Sequence, residues 1–127
     1  MQIEFVNHAS FIMSYDGIRM ICGPWMEGTA FHDGWALTEP TAFRYKDFNQ
    51  IKHIWFWQEH PDHFSPLNLK KIPPEIRKNI TILFQKTKDR KVVKFCHDLG
   101  FGEVIEIEIV MGIEWPSTEH VIWATTK

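Results

Sequence analysis

Five residues with side chains able to bind metals lie within six consecutive positions of the sequence: Gln58, Glu59, His60, Asp62 and His63. Imidazole nitrogen combined with carboxylate oxygen suits zinc, manganese or iron(II) better than magnesium or calcium. On a loop that leaves a strand, positions 58 and 60 point one way, and the adjacent positions 62 and 63 can turn toward a second point. One segment can thus serve two neighbouring metal positions, where bound metal acidifies water for hydrolysis. The alternative is a polar loop without metal.

The elements before this cluster are predicted by the hydrophobic pattern. Residues 3–6, 10–15 and 18–22 are short β-rich runs, and Asp16-Gly17 is a strong hairpin signal, so the chain opens as an antiparallel meander. Residues 23–48 have no sustained period and are predicted to be irregular.

The remaining elements flank or follow the cluster. Residues 52–57 and 81–85 are nearly continuous apolar runs, which predicts strands buried on both faces. Ser65 is a candidate N-cap for a helix. Residues 87–99 predict an amphipathic helix, and residues 103–110 alternate as a strand. The order β–β–β–loop–β–α–β–α–β is an α/β arrangement.

Three motifs carry a resemblance to a known family. Residues 57–64, Trp-Gln-Glu-His-Pro-Asp-His-Phe, resemble the Ser-His-x-His-x-Asp-His signature of the metallo-β-lactamase superfamily of metal-dependent hydrolases. Residues 7–11, Asn-His-Ala-Ser-Phe, and residues 22–25, Cys-Gly-Pro-Trp, resemble two upstream motifs of its UlaG-like branch. The resemblance covers about residues 2–107. It identifies the chain as the N-terminal half of such a protein, with a degenerate histidine motif.

The resemblance implies a fold and roles for individual residues. The fold would be half of an αββα sandwich, a mixed sheet with helices on one face, and the activity metal-dependent hydrolysis. His60 matches a ligand of the first metal, whereas Asp62 and His63 match ligands of the second. Asp62 would also be the catalytic residue that orients the attacking water.

Two residues depart from the family pattern. Gln58 stands where the family has its first histidine, and an amide oxygen is only a weak metal ligand. Gly23 stands where related sequences carry an aspartate near the metals. The sequence therefore predicts a hydrolase-like protein with an impaired metal site, which binds one transition metal ion, zinc in preference to manganese or iron, or none. The alternative is a non-catalytic binding or regulatory protein on the same scaffold.

Four residues outside the motif are candidates for a substrate pocket. His8 is either a pocket residue, as its family position implies, or a strand-end side chain bonded to backbone. His32 and Asp33, on the long loop beside Trp35, either line the entrance for a small-molecule substrate or pack within the loop.

The length of the chain raises a question about its assembly. Residues 1–127 are interpreted as a single truncated domain in which residues 108–127 form a divergent tail. His120 in that tail is either a late ligand or an edge residue. Half a sandwich leaves an apolar sheet face bare, so the sequence predicts a homodimer in which a second copy covers it. Whether the chain is a miniature or a fragment stays open.

Composition excludes several classes of partner. A formal charge of −2 gives no electrostatic reason to expect nucleic acid or an anionic membrane surface as a partner. No apolar run is long enough to span a membrane, and charged residues interrupt the first twenty positions, so a cytoplasmic location is expected. Cys22 and Cys96 fit no zinc-binding spacing and are predicted to be buried thiols.

Overall fold

The computed structural model describes residues 1–111 and 122–126, with side chains described through residue 108. The strands in these ranges are β1 (Gln2–Asn7), β2 (Ser10–Tyr15), β3 (Ile18–Cys22), β4 (Thr29–Ala30), β5 (Trp35–Ala36), β6 (His53–Phe56), β7 (Thr81–Gln85), β8 (Glu103–Met111) and β9 (Ile122–Thr126). The helices are α1 (Pro66–Lys71), α2 (Pro74–Arg77) and α3 (Lys91–Asp98), and a 3₁₀ helix spans Tyr45–Gln50. His120 lies outside the described residues.

Seven strands form one mixed sheet in the order β1-β2-β3-β6-β7-β8-β9, and β4 pairs with β5 in a separate hairpin. Strands β1 to β3 are the predicted antiparallel meander. Strands β3, β6, β7 and β8 run parallel, and β9 returns antiparallel to β8. Because β1 runs in the same direction as these parallel strands, its carboxyl end lies at the same edge of the sheet as theirs.

One face of the sheet carries the hydrophobic core. Alternate residues of the central strands point to this face and are buried against the helices, as the two-residue period of a strand requires. The main contributors are Ile12, Ile21, Ile54, Phe56, Ile82 and Phe84 from the strands and Leu69, Val92, Val93 and Cys96 from the helices. The predicted α/β class, a mixed sheet with helices on one face, is confirmed.

The opposite face is apolar but only partly covered in the described structure. Trp55 on β6 and Leu83 on β7 are half-buried, whereas Phe5 and Tyr15 on the same face are exposed. The prediction that residues 52–57 and 81–85 are strands buried on both faces is therefore wrong. The helices cover one side of these strands, so burial alternates along each of them.

The boundaries of two predicted segments also change. The helix expected over residues 87–99 begins at Lys91, because Arg90 has a positive φ and its amide bonds to the Thr87 hydroxyl at 3.2 Å. The segment expected to be irregular contains the β4–β5 hairpin and ends within the 3₁₀ helix, where Phe48 is buried.

Both cysteines are buried and free, as predicted. Burial raises the pKa of the Cys22 thiol to about 11 and that of Cys96 to about 12. Both therefore carry their protons at neutral pH. Within the described ranges, none of the helices has the length and apolar character needed to cross a bilayer.

Candidate active site

Side chains from two distant parts of the sequence meet at the carboxyl edge of the sheet. His8 lies in the turn after β1, and Asp62 and His63 lie on the loop after β6. The Nε2 atom of His8 is 2.9 Å from Oδ2 of Asp62, and the Nε2 atom of His63 is 3.3 Å from the same oxygen. These three residues are called the His8–Asp62–His63 cluster below.

Burial and electrostatics favour a neutral His63. Asp62 and His63 are only 6% and 8% exposed. Loss of water around His63 is the main cause that lowers its pKa, and His8 and His60 lower it further, whereas Asp62 opposes the shift. The indole Nε1 of Trp57 donates a hydrogen bond to Nδ1 of His63 at 3.0 Å. His63 is therefore held between a donor on one ring nitrogen and a carboxylate on the other.

The loop after β6 is fixed by a tight turn and by aromatic packing. The backbone amides of His63 and Phe64 both donate to the carbonyl of His60, at 2.9 and 2.8 Å. The Phe64 ring packs edge-on against Phe56 and Phe95, so the loop is anchored to the core. Ser65 then caps α1 by accepting from the amide of residue 68, as predicted.

His8 is held in an unusual backbone conformation. Its φ of 35° is uncommon for a residue with a side chain, and such strain persists where surrounding contacts impose it. The neighbouring Asn7 donates from Nδ2 to the carbonyl of Trp25 at 2.8 Å, and the Trp25 ring lies edge-on to the His8 ring. The structure thus gives His8 a side-chain partner in Asp62, and its role in a substrate pocket stays a prediction.

Gly23 closes the space beside His63. Its φ is 49°, and a Cβ at this position would lie 3.2 Å from Nδ1 of His63. The Ser10 hydroxyl donates to the Gly23 carbonyl at 2.6 Å, which fixes the backbone there. Position 23, for which the family resemblance implies an aspartate, therefore lies directly against the ring of His63.

The β4–β5 hairpin forms an aromatic wall next to the cluster. The Trp35 ring lies 5.9 Å from the ring of His8, and the Phe31 ring lies 6.3 Å from that of His60. The rings of Phe31 and Trp35 are 4.9 Å apart and contact each other edge-on. Trp35 therefore lies beside His8, and its role in a substrate pocket stays a prediction.

The other two predicted pocket residues lie at the hairpin turn. His32 and Asp33 both have positive φ and are exposed. The carboxylate of Asp33 accepts a hydrogen bond from the hydroxyl of Thr29. This bond agrees with packing within the loop, the second of the two interpretations of Asp33.

The remaining motif residues are placed differently from the cluster. His60 is exposed and lines a hollow of about 460 Å³ with Phe64, Lys91 and Phe95, between the loop and α3. Gln58 is half-buried. The structure therefore brings Asp62 and His63 together with His8, while His60 lies at the edge of the cluster, between the Phe31 ring and the hollow beside α3.

The family implies a metal ion, and the arrangement of donor atoms tests whether one fits. Among the described side chains, no group of three or more His, Cys, Asp and Glu residues is arranged to hold a metal ion. Oδ2 of Asp62 is already approached by two imidazole nitrogens. In this arrangement the residues do not fit a transition metal, and no catalytic step through one follows from it.

Asn68 is a functional support that the sequence analysis missed. It is buried on α1, and its Oδ1 accepts from the amides of Met26 and Glu27 at 2.6 and 3.2 Å. These bonds fix the backbone just after Trp25, whose ring lies edge-on to the ring of His8. Only tertiary structure reveals this role, because the partners are more than 40 residues away in sequence.

We expect Asn68→Ala to lower the free energy of unfolding by roughly 2–3 kcal/mol, because it leaves two amides without their acceptor. Urea denaturation checks this result. Asn79→Ala is the matched control, since the side-chain amide of Asn79 donates one exposed hydrogen bond to the Glu75 carbonyl. For this variant we expect the free energy of unfolding to change by less than about 0.5 kcal/mol. Equal effects of the two substitutions would contradict the role of Asn68.

Comparison with known proteins gives limited sequence similarity. No family model matches the chain. The chain is 35% identical over 72 residues to the inactive cytidine monophosphate-N-acetylneuraminic acid hydroxylase of Homo sapiens, which covers 56% of this chain and 14% of that protein. It is 32% identical over 88 residues to the corresponding hydroxylase of Xenopus laevis, which covers 68% of this chain and 15% of that protein. The chain thus spans about one seventh of the length of these relatives.

Solved structures resemble the chain over most of its length. They include isothiocyanate hydrolase from Delia radicum gut bacteria, with a TM-score of 0.57, 17% identity and coverage of 88% of this chain and 48% of that one. A possible metal-dependent hydrolase from Veillonella parvula DSM 2008 has a TM-score of 0.62 and 16% identity, and the match covers 91% of this chain and 44% of that one. A mutant of CmlA beta-hydroxylase has a TM-score of 0.55 and 22% identity, and the match covers 85% of this chain and 22% of that one. At these identities the likeness establishes the fold, and the described residues have the metallo-β-lactamase-like α/β fold.

Proposed function

We propose that this chain is a hydrolase-like domain of the metallo-β-lactamase superfamily, of the metal-dependent type, in which the metal site is impaired by Gln58. The observation that supports it is the His8–Asp62–His63 cluster. Its members come from two of the three motifs that resemble the family, and 54 residues separate His8 from Asp62. Within the superfamily we propose the UlaG-like branch, with the chain corresponding to an N-terminal half.

In this proposal Asp62 is the residue that acts on water. Its carboxylate is buried and fixed by two imidazoles, so the oxygen has a defined position from which to orient or deprotonate a water molecule. A small-molecule substrate would enter beside the aromatic wall of Phe31 and Trp35, which offers apolar contact area.

The identity of a bound metal distinguishes two reaction classes. The similar proteins include hydrolases and hydroxylases by name. Zinc has no redox chemistry, so preferential zinc binding would support hydrolysis. Preferential iron binding would instead extend the comparison with the hydroxylases to this chain.

The test combines elemental analysis with activity. The protein is loaded separately with zinc, manganese and iron(II), and its metal content and its turnover of a generic phosphodiester and a generic ester are measured. We expect weak zinc binding and slow turnover that Asp62→Ala abolishes. Asp98→Ala, at an exposed aspartate beside His97 on α3, is the matched control and should leave turnover unchanged. Failure to bind any of the three metals would contradict the metal-dependent type.

A second candidate is a non-catalytic binding or regulatory protein on the same scaffold. The observation that favours it is that both imidazoles of the cluster approach the Asp62 carboxylate, an arrangement that a structural network of polar side chains also produces. This reading requires no turnover under any metal condition. Turnover that is lost in His60→Ala would contradict it.

We also propose that a second copy of the chain covers the exposed face of the sheet. Ile3, Phe5 and Tyr15 are 67%, 74% and 71% exposed on this face, together with Ile18 at the adjacent position of β3. Apolar groups of this size are commonly buried when two sheets pack about 10 Å apart. A twofold contact between identical faces satisfies both copies at once.

Light scattering at micromolar concentration is expected to give twice the mass of one chain. Phe5→Lys should shift the protein toward monomer, because it places a charge within the apolar face. Leu67→Lys is the matched control, since Leu67 is 72% exposed on α1, on the helical side of the sheet. A wild-type monomer, or equal effects of the two substitutions, would contradict the dimer.

A further inference from the structure

We propose that the indole N–H of Trp57 fixes His63 in the tautomer that carries its proton on Nε2, so that this nitrogen, which lies beside the Asp62 carboxylate, is closed to a metal ion. This inference rests on the proposed function, because it explains how the site of a hydrolase-like scaffold loses metal affinity. It identifies Trp57 as a positioning residue that acts through His63.

The tautomer follows from the donors and acceptors around the ring. An indole N–H can only donate, and Trp57 Nε1 lies 3.0 Å from Nδ1 of His63, so Nδ1 must be the acceptor. A neutral imidazole has one N–H, which must then be on Nε2. A protonated imidazole would place two N–H groups against each other at Nδ1 and is excluded by the same contact.

The other ring nitrogen faces a group that requires a donor. Nε2 of His63 is 3.3 Å from Oδ2 of Asp62, and this carboxylate also contacts Nε2 of His8 at 2.9 Å. The shorter contact is a hydrogen bond between His8 and the buried carboxylate, and the longer one places the Nε2 proton of His63 close to negative charge, which favours this tautomer. Trp57 is thus hydrogen-bonded to His63, and His8 to Asp62, and the two pairs meet where Nε2 of His63 lies beside the Asp62 carboxylate.

The indole cannot easily move away from His63. Its ring lies 5.5 Å from Trp55 and 5.7 Å from Phe11, both on the same side of the sheet. On the His63 side, the backbone of Gly23 comes so close that a Cβ there would lie 3.2 Å from Nδ1. The space around Nδ1 is therefore taken by Trp57 and by backbone.

This arrangement opposes metal binding for a specific reason. Histidines that bind metals generally donate the second ring N–H to a carboxylate, a carbonyl or water, which fixes the binding tautomer. In this chain Nδ1 of His63, the nitrogen that would be left to donate when Nε2 binds a metal, faces the indole N–H donor of Trp57 instead. If Nε2 of His63 bound a metal, the proton would move to Nδ1 and point at the indole N–H of Trp57.

The first test is the ¹⁵N NMR spectrum of the histidine rings in the metal-free wild-type protein at neutral pH. We expect His63 to show a protonated Nε2 and an unprotonated Nδ1. A protonated Nδ1 would overturn the proposal. This measurement requires neither metal nor substitution, so it gives an answer even if the chain binds no metal.

The second test measures zinc affinity by calorimetry in Trp57→Phe, which keeps an aromatic ring and removes the N–H. We expect affinity to rise at least ~10-fold, the size of change typical for residues that orient a ligand. Tyr15→Phe is the matched control, because it removes a polar hydrogen from an exposed aromatic ring at the opposite edge of the sheet, and it should leave affinity unchanged. Equal affinities in both variants and wild type would overturn the effect of Trp57 on metal binding. No zinc binding in any protein, combined with the expected NMR spectrum, would contradict the proposed function while supporting the tautomer.

Discussion

Replacing Gln58 with histidine is expected to raise the zinc affinity of the protein roughly 100-fold and to bring the zinc content near stoichiometry. Loss of a residue that merely orients a ligand costs ~10–100-fold in metal affinity, so regaining an imidazole ligand should give a gain at the upper end of that range. Position 58 lies two residues after the end of β6, next to Trp57 in the sequence, and is half-buried. An imidazole there would join His60 as the family motif requires.

The control for this experiment is Gln2→His, which adds the same side chain at the start of β1, on the opposite edge of the sheet. Elemental analysis and calorimetry measure both variants beside the wild type. Equal zinc content in the two variants would mean that position 58 is not part of an inherited metal site. The double variant Trp57→Phe with Gln58→His is expected to bind zinc more tightly than either single variant, since the two changes act on different ligands.

Gly102→Ala is expected to lower the free energy of unfolding by at least ~3 kcal/mol, because the added methyl group has no space. A Cβ at position 102 would lie 2.1 Å from the carbonyl oxygen of Lys78, which is backbone and cannot rotate away. The Gly102 amide also donates to the carbonyls of Arg77 and Ile80, at 3.1 and 3.0 Å. Relief of the clash would pull these bonds apart at the start of β8, a cost at the upper end of that for overpacking.

Urea denaturation followed by circular dichroism measures this effect. Gly34→Ala is the matched control, because Gly34 also lies outside the positive-φ region and its Cβ would contact a carbonyl at 3.1 Å, in the exposed β4–β5 turn. We expect a loss below about 1 kcal/mol for the control. A Gly102→Ala protein as stable as the control would show that the connection between α3 and β8 can move.

The local order of elements could be predicted from sequence because it depends on short-range pattern. Asp16-Gly17 adopts the two positive φ angles of a hairpin turn and joins β2 to β3 in the expected register. Gly100, with φ of 90°, follows the end of α3. By contrast, the start of α3 was predicted four residues too early, since the side chains of Thr87 and Asp89 hold a turn that periodicity does not reveal.

The contacts that complete the site could not be predicted from sequence, because they join residues far apart in the chain. His8 was left between two roles, and the bond to Asp62 appears only when the ends of β1 and β6 meet at one edge. Trp57 was visible in the sequence as the residue in the serine position of the motif. Its hydrogen bond to His63 depends on how the loop turns back over the strand, which local pattern does not specify.

The sequence by itself determined the α/β class, the order of the strands along the chain and the motif that places Asp62 and His63 after β6. Those features follow from residue periodicity, turn chemistry and side-chain type. Tertiary structure alone decided that His8 and His63 both lie against the Asp62 carboxylate, that His60 lines the hollow beside α3, and that an indole N–H donates to Nδ1 of His63. The physical reason is that several strands and loops, which are far apart in the sequence, must pack together before the donors and acceptors at this edge of the sheet come within hydrogen-bond distance.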